Sequence, residues 1–213
     1  IYPYFWENLM KDIISFLLFW KLLAIGLLNE NMGKSTYIIG EIGQNHNGSL
    51  DIAKLLVETS VRTVGDESNI KLKGVDALKF TKRDLKEELS DSEMKKSYNN
   101  PNSFGKTYGE HRKALELSDD DYFELYNYVK SKNKDFIITL CSVSCESIFS
   151  KFIPDKLKVA SRDLTNLPLL EMLSKTKIPI IISTGMGDEK DLNNALEIIV
   201  KSHENISILH CLS

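Results

Sequence analysis

From residue 36 onward, short apolar runs alternate with segments whose apolar residues recur every three or four positions. Tyr37–Ile42 reads as a strand. Leu50–Val61 follows with Ile52, Ala53, Leu55, Leu56 and Val57 in a helical pattern, capped by Ser49 or Asp51. Val75–Phe80 is the second strand. Asp119–Lys130 predicts an amphipathic helix opened by Ser118, with an acidic first turn that suits the positive end of the helix dipole. Phe136–Leu140, Leu157–Ala160, Pro179–Ser183 and Ile206–His210 supply four more strands, with helices beginning near Glu146, Pro168 and Asp188. This alternation predicts parallel β/α architecture. The stretch from Thr81 to Ser118 is polar, carries the turn signal Asn99-Asn100-Pro101-Asn102, and predicts a long functional or disordered loop.

Polar residues interrupt the strands at telling places. Glu41 shares the parity of Tyr37 and Ile39, Lys79 that of Ala77, Thr139 that of Ile137, Ser183 that of Ile181 and His210 that of Ile208. Side chains alternate across a strand, so each is expected on the same face as the apolar residues before it, near the C-terminal end of its strand. In a (β/α)8 barrel that rim carries the active site. Singly, each has a plainer explanation: Lys79 could snorkel, Thr139 and Ser183 could bond locally, and Glu41 could pair with a lysine. Together they form a constellation, which Lys158 and Ser161 extend at the end of the fourth strand. Ammonium and hydroxyl donors suit phosphate or carboxylate oxygens, so an anionic small molecule is the expected substrate. Glu41 could serve as general acid or base, or orient a metal-bound water. No Gly-x-Gly-x-x-Gly or Walker-type loop occurs, which weakens nucleotide-binding readings.

Charge and cysteine content narrow the partners. Lys and Arg number 27 against 30 Asp and Glu, a small negative balance without the basic face that nucleic acid requires. Cys141, Cys145 and Cys211 are odd in number and too few for a disulfide scaffold; Cys141 and Cys145 read as buried thiols, and a cytoplasmic compartment is expected. The first thirty residues are different. Their apolar run, from Ile13 to Leu28 with Lys21 inside it, is borderline against the roughly 20 residues that span a bilayer. Glu7 and Asp12 stand where a signal peptide would be basic, and Met32-Gly33-Lys34 resembles a natural start. Residues 1–31 are therefore expected to be an extension foreign to the barrel, with a membrane anchor as the alternative.

Six motifs occur in order: Glu41-Ile-Gly-Gln-Asn-His-Asn-Gly48, Ala77-Leu-Lys-Phe80, Asn102-Ser-Phe-Gly-Lys-Thr-Tyr-Gly-Glu-His111, Lys158-Val-Ala-Ser-Arg-Asp-Leu-Thr-Asn-Leu-Pro168, Ser183-Thr-Gly-Met186 and Leu209-His-Cys211. Over residues 35–213 the chain resembles the N-acetylneuraminate (sialic acid) synthase family. The resemblance implies a TIM barrel followed by a small antifreeze-like domain that reaches over a partner subunit. It also implies condensation of phosphoenolpyruvate with N-acetylmannosamine or a related N-acylated amino sugar, with phosphate release and a divalent metal, Mn or Mg. By resemblance Glu41 handles the attacking water or metal-bound ligand. Lys79, Thr139, Lys158, Ser161 and Ser183 bind phosphoenolpyruvate, and Asp163 meets the amino sugar. His46 is expected to make a loop hydrogen bond rather than ligate metal.

The chain departs from the family pattern in several places. Thr81 stands where many members carry a sugar-contacting Gln. Leu140–Cys145 replaces a Pro-containing acidic stretch, and Thr63–Lys73 is a polar insertion. The family's two histidine metal ligands fall beyond Ser213. Without its first thirty residues the chain has about 180, against about 250 for a full barrel. A partial TIM (β/α)8 barrel with about six of eight units is therefore expected. Such a fragment is expected to be inactive alone, and the full-length enzyme a homodimer. A 3-deoxy sugar acid synthase and a membrane-tethered, non-catalytic barrel are the competing readings.

Overall fold

The structure, a computed structural model, describes residues 36–65 and 71–211. The apolar stretch of residues 1–31 lies outside the described residues. All six expected strands are present in one parallel sheet: β1 (Ile39–Gly43), β2 (Ala77–Lys82), β3 (Asp135–Leu140), β4 (Lys156–Val159), β5 (Ile180–Ser183) and β6 (Ile206–Leu209), side by side in chain order. Parallel neighbours need crossover connections, and helices supply most of them. The helices are α1 (Leu50–Val61), α2 (Leu85–Glu88), α3 (Asp91–Lys95), α4 (Tyr108–Ala114), α5 (Asp119–Ser131), α6 (Leu167–Lys175) and α7 (Glu189–Ile199).

Local chemistry explains where these helices start. Ser49 Oγ accepts the Ile52 N–H ahead of α1, and Ser118 and Asp121 cap α5 reciprocally. Asp188 and Asp191 do the same for α7, while Asn166 caps α6 with Pro168 in its first turn. The segment near Glu146 forms a 3-10 helix, Val143–Ser150, rather than an α-helix. The expected loop from Thr81 to Ser118 is a correction of a larger kind. It holds α2, α3 and α4, capped by Asp84, Ser90 and Thr107. None of these helices exceeds seven residues, too few for helical periodicity to show in the sequence. The insertion from Thr63 to Lys73 contains a short antiparallel pairing, Val64 with Leu72 and Gly65 with Lys71.

The sheet curls. Ala77, Ile137 and Ile181 form a buried cluster on one face, and both Ile39 and Leu209 pack against it. Ile39 lies on β1 and Leu209 on β6, at opposite ends of the strand order. Each packs against the cluster from its own end of the sheet, which curls into a half-barrel whose inner face carries the residues of that parity. The outer face is covered by aromatic packing. Phe80 stacks on Phe136 with ring centres 5.0 Å apart, and Tyr126 and Phe152 extend the cluster. Among the described residues no helix is long and apolar enough to cross a membrane.

His210 departs from expectation. Leu209, not Ile208, lies against the inner cluster, whereas Ile208 is half exposed and His210 follows the strand end in an exposed position. In β6 apolar residues stand at both parities, so sequence alternation alone does not reveal which face is inner.

Candidate active site

The inner face becomes polar towards the C-terminal ends of the strands. Glu41 and Lys79 face each other in register on β1 and β2, with Lys79 Nζ 2.7 Å from Glu41 Oε1. The lysine is buried, while 55% of the glutamate side chain is exposed, so water can reach its carboxylate. Nearer the rim, Thr81, Thr139 and Lys158 lie in one register row across β2, β3 and β4. Thr81 Oγ1 accepts a 2.8 Å bond from the Lys79 ammonium. Among the described residues, the hydroxyls of Thr139 and Ser183 are buried without a hydrogen-bond partner. An unpaired buried hydroxyl costs free energy, so both are poised for a polar ligand.

Lys79 and Lys158, near the rim of this face, raise the electrostatic stakes. Burial pushes the Lys158 ammonium below the usual lysine range, and the charge of Lys79 pushes in the same direction, with Glu41 offsetting part of it. An anion between the two would relieve both effects.

Ser161 is placed differently. Its Oγ accepts the Gly185 N–H at 3.1 Å, tying the loop after β4 to the Ser183-Thr-Gly-Met186 segment after β5. Asp163 is also apart from the lysine pair. It lines a cavity of about 300 Å3 with Glu87, Glu88, Cys141, Ser142, Arg162 and Asn166. Burial raises its carboxyl above the usual range, partly offset by Arg162. The arrangement thus brings together Glu41, Lys79, Thr139, Lys158 and Ser183, keeps Ser161 as a loop tie, and sets Asp163 in a neighbouring pocket.

The loop after β1 is held from several sides. Gln44 accepts a 2.5 Å bond from Arg112 and donates to Glu116, near the end of α4. Gly48 has φ +72°, and a Cβ there would come 2.1 Å from the Ala114 carbonyl oxygen. His46 is fully buried, and its Nδ1 accepts the Gly48 N–H at 3.2 Å, as expected of a loop hydrogen bond. Burial lowers its imidazole to about 4. Among the described residues no three His, Cys, Asp or Glu side chains are grouped as they would be around a metal ion.

Sequence reasoning missed two sets of residues. Thr81 was legible by its parity with Lys79. The cluster in which Arg83 and Arg162 both bind Glu88, at 2.7 and 2.8 Å, was not, because Arg162 joins it from 74 residues further along the chain. Cys141 and Cys145 are buried free thiols, and burial pushes Cys141 up to about 11.

Fold and rim together define a parallel β/α protein whose inner face carries lysines and buried hydroxyls near the strand ends. The chain belongs to the NeuB family, whose model matches residues 68–213. It is 31% identical over 193 residues to an N-acetylneuraminate-9-phosphate synthase of Drosophila melanogaster, covering 90% of this chain and 49% of that one. An N,N'-diacetyllegionaminic acid synthase of Legionella pneumophila is 30% identical over 194 residues, covering 88% and 52%. The N-acetylneuraminic acid synthetase of Leptospira borgpetersenii shares the fold, with a TM-score of 0.66 at 23% identity, covering 88% of this chain and 59% of that one. The chain spans about half the length of the curated relatives it matches.

Proposed function

We propose that the inner face binds phosphoenolpyruvate, within an enzyme that condenses it with N-acetylmannosamine or a related N-acylated amino sugar and releases phosphate. The observation that carries this reading is the pairing of Lys79 and Lys158 with the buried, unpartnered hydroxyls of Thr139 and Ser183. Two ammonium groups neutralise a phosphate and a carboxylate, and the hydroxyls donate to their oxygens. In the reaction, C3 of phosphoenolpyruvate bonds to the aldehyde carbon of the open-chain sugar. Water adds at C2, and the C2–O bond to phosphate breaks as the ketone forms. Positive charge develops at C2 beside two anionic groups, so fixed charges around it lower the barrier. Glu41, exposed to solvent and anchored by Lys79, is placed to take the proton of the attacking water.

Closure of the barrel by two further units, a divalent metal (Mn or Mg) held by residues outside these 213, a homodimer and a cytoplasmic location belong to the same proposal. Calorimetric titration of phosphoenolpyruvate into the chain tests the anion site, with Lys79→Ala expected to weaken binding and unchanged affinity counting against it. Phosphate release by the full-length enzyme in the presence of N-acetylmannosamine, compared with arabinose 5-phosphate, tests the acceptor. Preference for arabinose 5-phosphate would make this a 3-deoxy sugar acid synthase instead.

A further inference from the structure

The resemblance gives residue 81 a sugar contact through Gln, but this chain carries Thr there, and its hydroxyl is already engaged. Lys79 is 5% exposed, and its Nζ lies 2.7 Å from Glu41 Oε1 and 2.8 Å from Thr81 Oγ1. An ammonium group carries three donors in tetrahedral array. Once two are engaged, the direction of the third is fixed.

The two acceptors differ in stiffness. Glu41 is more than half exposed on a flexible stem beside a bulge in β1, so alone it would let the ammonium follow it outward. Thr81 is 8% exposed, its side chain is β-branched, and its residue pairs with Thr139 in the β2–β3 ladder. Its carbonyl oxygen accepts a 2.7 Å bond from the hydroxyl of Tyr122, a fully buried residue of α5. Ladder, helix and rotamer together set where Oγ1 sits.

We propose that Thr81 is a positioning residue for Lys79, aiming its remaining N–H at an anion on the inner face instead of contacting the sugar. This rests on the phosphoenolpyruvate reading above for the identity of the anion, not for the geometry.

Thr81→Val keeps the shape and removes the acceptor, while Thr81→Ser restores it. Two readouts on the 213-residue chain separate the possibilities. The first is the 15N–1H resonance of the Lys79 ammonium, assigned by its loss in Lys79→Arg, and its exchange with water. The second is calorimetric affinity for phosphoenolpyruvate and, separately, for inorganic phosphate.

In Thr81→Val the Lys79 protons should exchange faster and phosphoenolpyruvate affinity should fall about ten- to hundredfold, the effect of misdirecting one hydrogen bond to a charged group. Thr81→Ser should return both to the level of the unaltered chain. An unchanged Lys79 resonance in Thr81→Val would overturn the proposal, as would a changed resonance with unchanged affinity. If the unaltered chain ignores phosphoenolpyruvate but binds phosphate, and Thr81→Val weakens that, the substrate reading falls and the role of Thr81 stands. Binding of neither anion would overturn both.

Discussion

Replacing Lys158 by methionine should strengthen the fold and weaken anion binding in the same molecule. Lys158 sits on the inner face of β4, and among the described residues no carboxylate lies within ion-pair distance of it. Burial, and then the charge of Lys79, lower its ammonium below the ordinary lysine range. The sign follows from linkage. Between the folded and unfolded values the unfolded chain holds the proton and the folded chain does not, so stability rises with pH across that window. Below the folded value the charged lysine is carried at a cost, and an unbranched apolar side chain of similar length removes it. In a domain of this size each kcal/mol recovered raises Tm by about 2–4 °C.

The ligand side runs the other way. A hydrogen bond from an ammonium to an anion contributes about 1.5–3 kcal/mol, roughly ten- to hundredfold in Kd. In the unaltered chain, phosphoenolpyruvate affinity should fall as pH rises through the lowered Lys158 value, and Lys158→Met should lack that alkaline limb. Scanning calorimetry at pH 7 gives the first quantity, and titration calorimetry across pH 7–10 gives the second. A lowered Tm at pH 7 would refute the electrostatic cost. An unchanged Kd would remove Lys158 from the site.

Three further substitutions probe the rim and its support. In the full-length enzyme, Glu41→Gln should depress turnover more than phosphoenolpyruvate binding, measured as phosphate release against calorimetric Kd, and full turnover would remove Glu41 from the chemistry. Gly48→Ala forces a side chain into a left-handed backbone 2.1 Å from the Ala114 carbonyl oxygen, and should cost at least about 2 kcal/mol in denaturant unfolding. For His46, the folded value near 4 lies below the unfolded one, so stability should fall as pH drops from about 6.5 to 4. Over that span the loss is on the order of 3 kcal/mol, and His46→Gln should flatten it in acid-unfolding curves.

How far the sequence led can be judged strand by strand. All six strands were legible because buried parallel strands are short apolar runs between helical patterns, and each was found within about two residues of its bounds. Inner-face parity was legible where a polar residue broke an apolar run, as at Lys79, Thr139 and Ser183. It failed in β6, where Ile206, Ile208 and Leu209 offer apolar residues to both faces and, among the described residues, no strand pairs on the far side. The helices after β2 were illegible for a different reason. They are held by caps and by distant partners such as Glu116, which binds both Gln44 and the Arg83 N–H.

The same distinction separates the parts of the site. Alternation along a strand is a one-dimensional signal, so the residues that share the inner face with Lys79 could be ranked from the sequence. Whether a hydroxyl is free or engaged depends on its neighbours in space. Thr139 and Ser161 looked equivalent as candidates, yet among the described residues Thr139 Oγ1 is buried without a partner while Ser161 Oγ is bonded to the next loop. A free buried hydroxyl gains most from a ligand, whereas an engaged one mainly fixes the loop around it. Thr139 and Ser183 are therefore the hydroxyls whose removal should register in anion affinity, and Ser161 the one whose removal should register in the order of the loop after β5.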